Sequence, residues 1–219
     1  MKVLKKIISV LLIVSAIFTM CFPVSAAEYI ENAPVSVANV KLRWVYRESS
    51  KYTQKVYNGL PSSYGPYVCI NNGIAKLGAE VTEHCDNIRV QSSPYAGSNV
   101  RFSVPNSSSW EILNMNELFV FATTIPRSTS GTFYYGYNSF DDNDYIFVDF
   151  AMIWYSPEYY PSYHSDMVGQ SGNRMAMHEM MHAFGMGHTT RNSIMTENSS
   201  ATSTSLTTYD ISEFARMYP

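Results

Sequence analysis

The sequence has few charged residues and few cysteines, and beyond residue 27 it has no long hydrophobic run. Only 15% of its 219 residues are charged, against about 25% in ordinary soluble domains. Residues 1–27 hold three of the 15 basic residues and none of the 18 acidic ones, so residues 28–219 carry 12 basic and 18 acidic side chains, a net charge of −6. This acidic balance argues against a nucleic-acid-binding protein. An apolar content of 46% excludes an intrinsically disordered chain.

Residues 1–27 have the organisation of an export signal. Three lysines precede an apolar run over residues 7–18, and small residues at 25–27 offer a cleavage site. The alternative is an uncleaved membrane anchor, but the run is shorter than the roughly 20 residues that a spanning helix needs. We therefore expect a secreted protein that leaves the membrane after cleavage, with a signal peptide over 1–27, a short leader over 28–39 and one domain over 40–219.

Two cysteines, Cys69 and Cys85, remain after the signal segment. An even number of cysteines in an oxidising compartment predicts a disulfide. Closing this short loop would stabilise the fold by roughly 3 kcal/mol. The alternative is two buried, unpaired thiols.

The hydrophobic pattern places strands before helices, an order that indicates one α+β domain. Strands are predicted over 41–46, 99–104, 118–125, 132–137 and 144–155, and helices over 68–83 and 171–184. A last short helix is predicted to begin near Tyr209, with Thr208 or Asp210 as its cap.

Residues 178–188 form the pattern H-E-x-x-H-x-x-G-x-x-H. On a helix, His178 and His182 lie one turn apart on the same face, so both imidazoles can reach one metal ion. Gly185 can end the helix, because glycine turns there without steric cost, and the returning chain brings His188 as a third ligand. Three imidazoles with an open fourth position are typical of catalytic zinc. Glu179 lies beside the ligands and can act as general base.

Chance is a poor explanation of this pattern. Five fixed positions arise at random in a chain of this size on the order of once in ten thousand sequences. Three of the five histidines fall within eleven residues, which further disfavours ordinary core histidines. The neighbouring methionines are predicted to be core packing rather than a second metal site: Met175, Met177, Met180, Met181 and Met186.

This long motif, followed by Ser193-Ile194-Met195, resembles the signature of the metzincin metalloproteases. The resemblance implies that Met195 lies beneath the metal as the methionine turn, although simple core packing would also explain it. The segment from Leu206 to Ile211 is similar to the L-T-x-x-D-I pattern of the matrixin branch. The family fold implies a twisted, mostly parallel five-stranded sheet with one antiparallel edge strand, and about three helices.

The resemblance implies a secreted zinc endopeptidase that binds one catalytic zinc ion and acts as a monomer. In the family, an extended polypeptide substrate adds along an edge strand. Residues 131–138 are the candidate edge, although their aromatic side chains could equally cover the core. The specificity pocket would lie between the motif helix and the loop over 196–205.

The sequence also departs from the family pattern. Residues 28–39 contain no cysteine that could block the zinc, and position 197 is Glu where some branches have a tyrosine ligand. A second zinc at His164 and Asp166 is not favoured. An acidic stretch could bind calcium through oxygen ligands, or be a solvated turn; it comprises Asp141, Asp142, Asn143 and Asp144.

Two other functions remain open at this point. One is a non-catalytic extracellular binding or adhesion module on a metzincin scaffold, and the other is a narrow-specificity, toxin-like protease of another metzincin branch. The intact Glu179 and three intact histidines argue against the non-catalytic module.

Overall fold

The computed structural model describes residues 35–36, 41–63, 65–105, 122–135, 145–156, 169–196 and 203–219. These residues form a mixed, mostly parallel sheet and three α-helices, which confirms the predicted α+β class and helix number. The helices are α1 (Gly65–His84), α2 (Gly169–Ala183) and α3 (Thr208–Met217). The strands are β1 (Val35–Ser36), β2 (Lys41–Trp44), β3 (Arg47–Glu48), β4 (Lys51–Asn58), β5 (Ile88–Ser92), β6 (Val100–Ser103), β7 (Ala122–Ser128), β8 (Tyr134–Tyr135) and β9 (Tyr145–Tyr155).

Five strands form a continuous ladder in the order β5-β4-β6-β9-β7, in which only β7 is antiparallel to its neighbour. The described sheet has seven strands rather than five, because β2 pairs in parallel with the first half of β9 and β3 forms a short hairpin with β4. Strands β1 and β8 form a separate parallel pair. The prediction of five strands was therefore too low.

The helix that carries the motif packs closely on α1. A Cβ atom placed on Gly73 of α1 would lie 2.7 Å from the Cβ of Ala176 on α2, closer than real carbon atoms approach. Glycine in a helix costs roughly 1 kcal/mol relative to alanine, and here it allows the two backbones to approach. Helix α2 is also bound to the sheet, since Gln54 of β4 donates to the Met180 carbonyl at 3.0 Å.

The predicted disulfide does not fit the geometry of the described chain. Cys69 lies near the start of α1 and Cys85 directly follows its end, and both are buried free thiols. The two cysteines are sixteen positions apart, all but the last within α1, and at about 1.5 Å per residue their Cα atoms are about 24 Å apart. A disulfide requires Cα atoms within about 7 Å.

Several predictions fall outside the described residues. They are the signal segment over 1–27, the leader apart from residues 35–36, the start of the strand predicted over 118–125, the calcium candidates at 141–144, and His164 and Asp166. Among the helices that the structure does describe, none is long and apolar enough to cross a membrane.

Candidate metal centre

Helix α2 carries His178, Glu179 and His182 and ends at Ala183. The chain turns at Gly185, whose φ is +96°. A Cβ atom at this position would overlap the carbonyl oxygen of Leu42. The conformation and the close approach to β2 both require glycine, so Gly185 has its predicted helix-breaking position.

The turn at Gly185 returns the chain so that three imidazoles converge. The Nε2 atom of His188 lies 3.1 Å from Nε2 of His178 and 3.1 Å from Nε2 of His182. Tetrahedral ligands at Zn–N distances of about 2.0–2.1 Å would lie about 3.3 Å apart. The spacing therefore fits a single metal ion, and no other group of this kind occurs in the described parts of the chain.

The outer ring nitrogens of the two helix histidines are held by backbone carbonyls. Nδ1 of His178 lies 2.9 Å from the Ile194 oxygen, and Nδ1 of His182 lies 2.7 Å from the Met186 oxygen. A carbonyl only accepts, so each Nδ1 carries the hydrogen and donates it. Each neutral ring then has its lone pair on Nε2, directed into the cluster.

The electrostatics of the cluster favour neutral rings. Burial, with a smaller contribution from the neighbouring His188, lowers the pKa of His178 to about 3. Burial also lowers the pKa of His182 well below its usual value, with contributions from the other two histidines. His182 is 8% exposed, whereas His188 is exposed, so the cluster opens to solvent on the His188 side. Neutral, converging imidazoles are a donor set that suits transition metals such as zinc.

The segment after His188 is buried and contacts the motif helix. Ser193, Ile194 and Met195 are fully buried. Arg174, one turn before His178 on α2, donates from Nη2 to the Ile194 oxygen at 3.1 Å and also to the Thr196 oxygen. The Ile194 carbonyl thus accepts from both Arg174 and His178, which couples this turn to the first ligand.

Helix α3 holds the same turn through the buried carboxylate of Asp210. This carboxylate accepts from the Ser193 hydroxyl and, at 3.2 Å, from the Ile194 amide. It also accepts at 2.9 Å from the amide of Thr207, which is the N-cap of α3. The predicted caps, Thr208 or Asp210, were therefore wrong. The cap is Thr207, and Asp210 completes a capping box from the third helical position.

The Glu179 carboxylate lies on the sheet side of α2 and is 6% exposed. Thr124 of β7 donates to its Oε2 atom at 2.7 Å, and the same hydroxyl lies 2.8 Å from the Glu179 backbone oxygen. Burial raises the pKa of Glu179 to about 7, which the Thr124 hydrogen bond partly opposes. Sequence reasoning missed Thr124, since a threonine within a strand carries no local signal of its partner.

The region predicted as an edge for substrate is described only over 131–135. There, β8 pairs with β1, and Phe133 packs against Phe150 with ring centroids 6.4 Å apart. The antiparallel strand beside the motif helix is instead β7, through its Thr124 contact.

The prediction that the methionines near the motif pack in the core is confirmed for the residues at 177, 180, 181 and 186, which are at most 2% exposed within the main core.

Neither a scan against protein-family models nor a search of the curated proteins found a match to this chain. The structure itself shows an α+β domain in which three sequence-predicted histidines, 178, 182 and 188, can hold one metal ion. It brings Glu179, of the same motif, into hydrogen-bond contact with the sheet.

Proposed function

We propose that the chain is a secreted zinc endopeptidase of the metzincin type, closest in its motifs to the matrixin branch. The observation that carries the proposal is the convergence of three histidine Nε2 atoms next to a buried glutamate on the same helix. Zinc is the ion of choice because three neutral imidazoles leave a fourth tetrahedral position open, as catalytic zinc sites do. Bound zinc would supply Lewis acidity, lowering the pKa of a nearby water and polarising the scissile carbonyl.

In this proposal Glu179 moves the protons. Its Oε2 atom is engaged by Thr124, which leaves Oε1 available to take a proton from the attacking water and to pass it to the leaving amine. Burial raises the pKa of this carboxylate in the metal-free protein, and a buried carboxylate with a raised pKa is typical of a general acid or base. Burial keeps His178 and His182 neutral, and their carbonyl contacts fix the tautomer that presents Nε2, so that both would act only as ligands.

An extended polypeptide would bind beside β7 rather than along residues 131–138. One side of β7 pairs with β9, and among the described residues its other side is bridged only at Arg127, by Phe133. A peptide added in register to that side would pass the point where Thr124 meets Glu179. Strand addition of this kind is recognition by backbone hydrogen bonds, so it predicts little dependence on substrate sequence at those positions.

Gelatin or casein zymography of the protein lacking residues 1–27 tests the proposal. We expect a cleared band that disappears with a zinc chelator and returns when zinc is restored. A zinc-loaded protein that clears neither gelatin nor casein, and cuts no member of a mixed peptide library, would contradict the endopeptidase and favour the binding module. Cleavage of only a few peptides would instead indicate the narrow-specificity branch.

A further inference from the structure

The Glu179 carboxylate has a single hydrogen-bond donor among the described residues, and that donor is not part of the motif. The hydroxyl of Thr124 lies 2.7 Å from Oε2 of Glu179. Thr124 is 3% exposed, and it is separated from Glu179 by 55 positions in sequence. A buried carboxylate needs such a donor, because burial without one removes the water that would otherwise solvate it.

The position of Thr124 in the sheet makes this donor rigid. Thr124 lies in the middle of β7, opposite Ile153 of the buried strand β9 in the antiparallel ladder. A β-branched side chain within a strand is also stiff about its first torsion. Glutamate, in contrast, has three rotatable side-chain bonds, so its carboxylate can occupy many positions unless a fixed group holds it.

We infer that Thr124 is the positioning residue for the proposed general base: its hydroxyl holds Oε2 of Glu179 and leaves Oε1 for the reacting proton. The inference rests on the proposed function. It extends the site beyond the eleven-residue motif to the strand along which the substrate is proposed to lie. Placing a proton acceptor within hydrogen-bond reach of its proton is a large part of its catalytic effect, and displacement by about 1 Å can cost about 100-fold in rate.

A purely structural role is the competing explanation, since the same hydroxyl lies 2.8 Å from the Glu179 backbone oxygen and could tie β7 to α2. Three variants separate the two roles. Thr124→Val removes the hydroxyl and keeps the shape, and Thr124→Ser keeps the hydroxyl. Thr53→Val is the matched control, because Thr53 is also a fully buried strand threonine, and its hydroxyl donates to the Lys51 carbonyl away from the site.

Peptide hydrolysis is measured with each variant at equal zinc occupancy. Thr124→Val is expected to lower kcat by about 10- to 100-fold with little change in KM. Thr124→Ser should recover most of the rate, and Thr53→Val should match the wild type. Equal kcat values for Thr124→Val and the wild type, or a serine variant as slow as the valine variant, would overturn the inference.

Thermal unfolding of the metal-free protein provides a readout that does not depend on activity. The four proteins are the wild type, Thr124→Val, Glu179→Ala and the double variant. If the hydroxyl holds the carboxylate, Thr124→Val lowers Tm more when Glu179 is present than when it is alanine, by about 2 °C or more. Equal Tm shifts in the two backgrounds would overturn the contact. Because this cycle needs neither zinc nor substrate, it gives an answer even if the protein proves not to be a peptidase.

Discussion

At the residue scale, the helix histidines divide their two ring nitrogens between the protein and the metal position. Backbone carbonyls of Ile194 and Met186 accept from Nδ1, so the tautomer that presents Nε2 is set by the fold before any ion binds. Such outer contacts typically contribute 10- to 100-fold to metal affinity. The position of the third histidine, His188, depends instead on the turn at Gly185.

Gly185→Ala is expected to destabilise the protein by several kcal/mol, because the new Cβ would overlap the Leu42 carbonyl in addition to straining the backbone. Gly131→Ala is the matched control. Gly131 also has a positive φ, of +93°, but a Cβ there meets nothing within 4 Å, so only the backbone strain of about 1 kcal/mol applies. Chemical denaturation measures both changes in the free energy of unfolding. Equal losses in the two variants would show that the contact with β2 contributes nothing.

At the element scale, α3 stabilises the turn that holds the first ligand. Asp210 joins the N-terminus of α3 to Ser193 and Ile194, and the Ile194 carbonyl in turn accepts from His178. A helix distant in sequence from the motif therefore fixes a ligand's orientation through two successive hydrogen bonds.

Asp210→Asn should weaken zinc binding by about tenfold and lower Tm, since an amide replaces one of the two oxygens that accept from Ser193, Ile194 and Thr207. Zinc affinity is measured by competition with a chelating indicator. Glu213→Gln is the control. Glu213 lies on the same helix and pairs with the exposed Arg216, so this variant should leave the zinc affinity unchanged. An unchanged affinity in Asp210→Asn would exclude the proposed coupling.

The two buried thiols near the ends of α1 are predicted to be unreactive in the folded protein. Burial raises the pKa of both Cys69 and Cys85, so little thiolate is present at pH 8 and the folded protein should react slowly with a thiol reagent. In guanidinium, the protein lacking residues 1–27 should show two free thiols without a reductant. A count of zero in a protein that remains monomeric without a reductant would mean an intramolecular disulfide, and therefore that α1 is not continuous between the two cysteines.

The parts of the site that the sequence predicts are those close together along the chain. The spacing of His178 and His182 fixes their common face, and Gly185 marks the end of their helix. Thr124 and Asp210 were not recognised as partners, because their hydrogen bonds join positions 55 and 17 residues apart. The same limit applies to the disulfide, since cysteine number alone contains no information on the helix between the two residues.

The missed strands have a similar cause. Strand β4 holds two fully buried polar residues, Thr53 and Gln54, which obscure the alternating hydrophobic pattern. The Gln54 amide nitrogen donates to the Met180 carbonyl of α2, a contact that exists only after the helix has packed on the sheet.

At the scale of the whole molecule, a metal ion would connect α2 with the segment that follows it, and would therefore stabilise the folded chain. An ion present at about 100 times its dissociation constant adds about 2.7 kcal/mol. For a domain of this size that raises Tm by about 5–10 °C. Calorimetry with zinc and with a chelator should show this difference. His188→Ala should abolish the difference, and a zinc-dependent shift that survives in this variant would place the ion elsewhere.

The central claim is that Glu179 is the general base of a zinc peptidase, and it is tested most directly by the turnover of Glu179→Gln at full zinc occupancy. The variant keeps all three histidines, so it should bind one zinc ion per chain as the wild type does. Its kcat for peptide hydrolysis is predicted to fall by about 10²- to 10⁴-fold. A fully loaded variant with wild-type turnover would contradict the account.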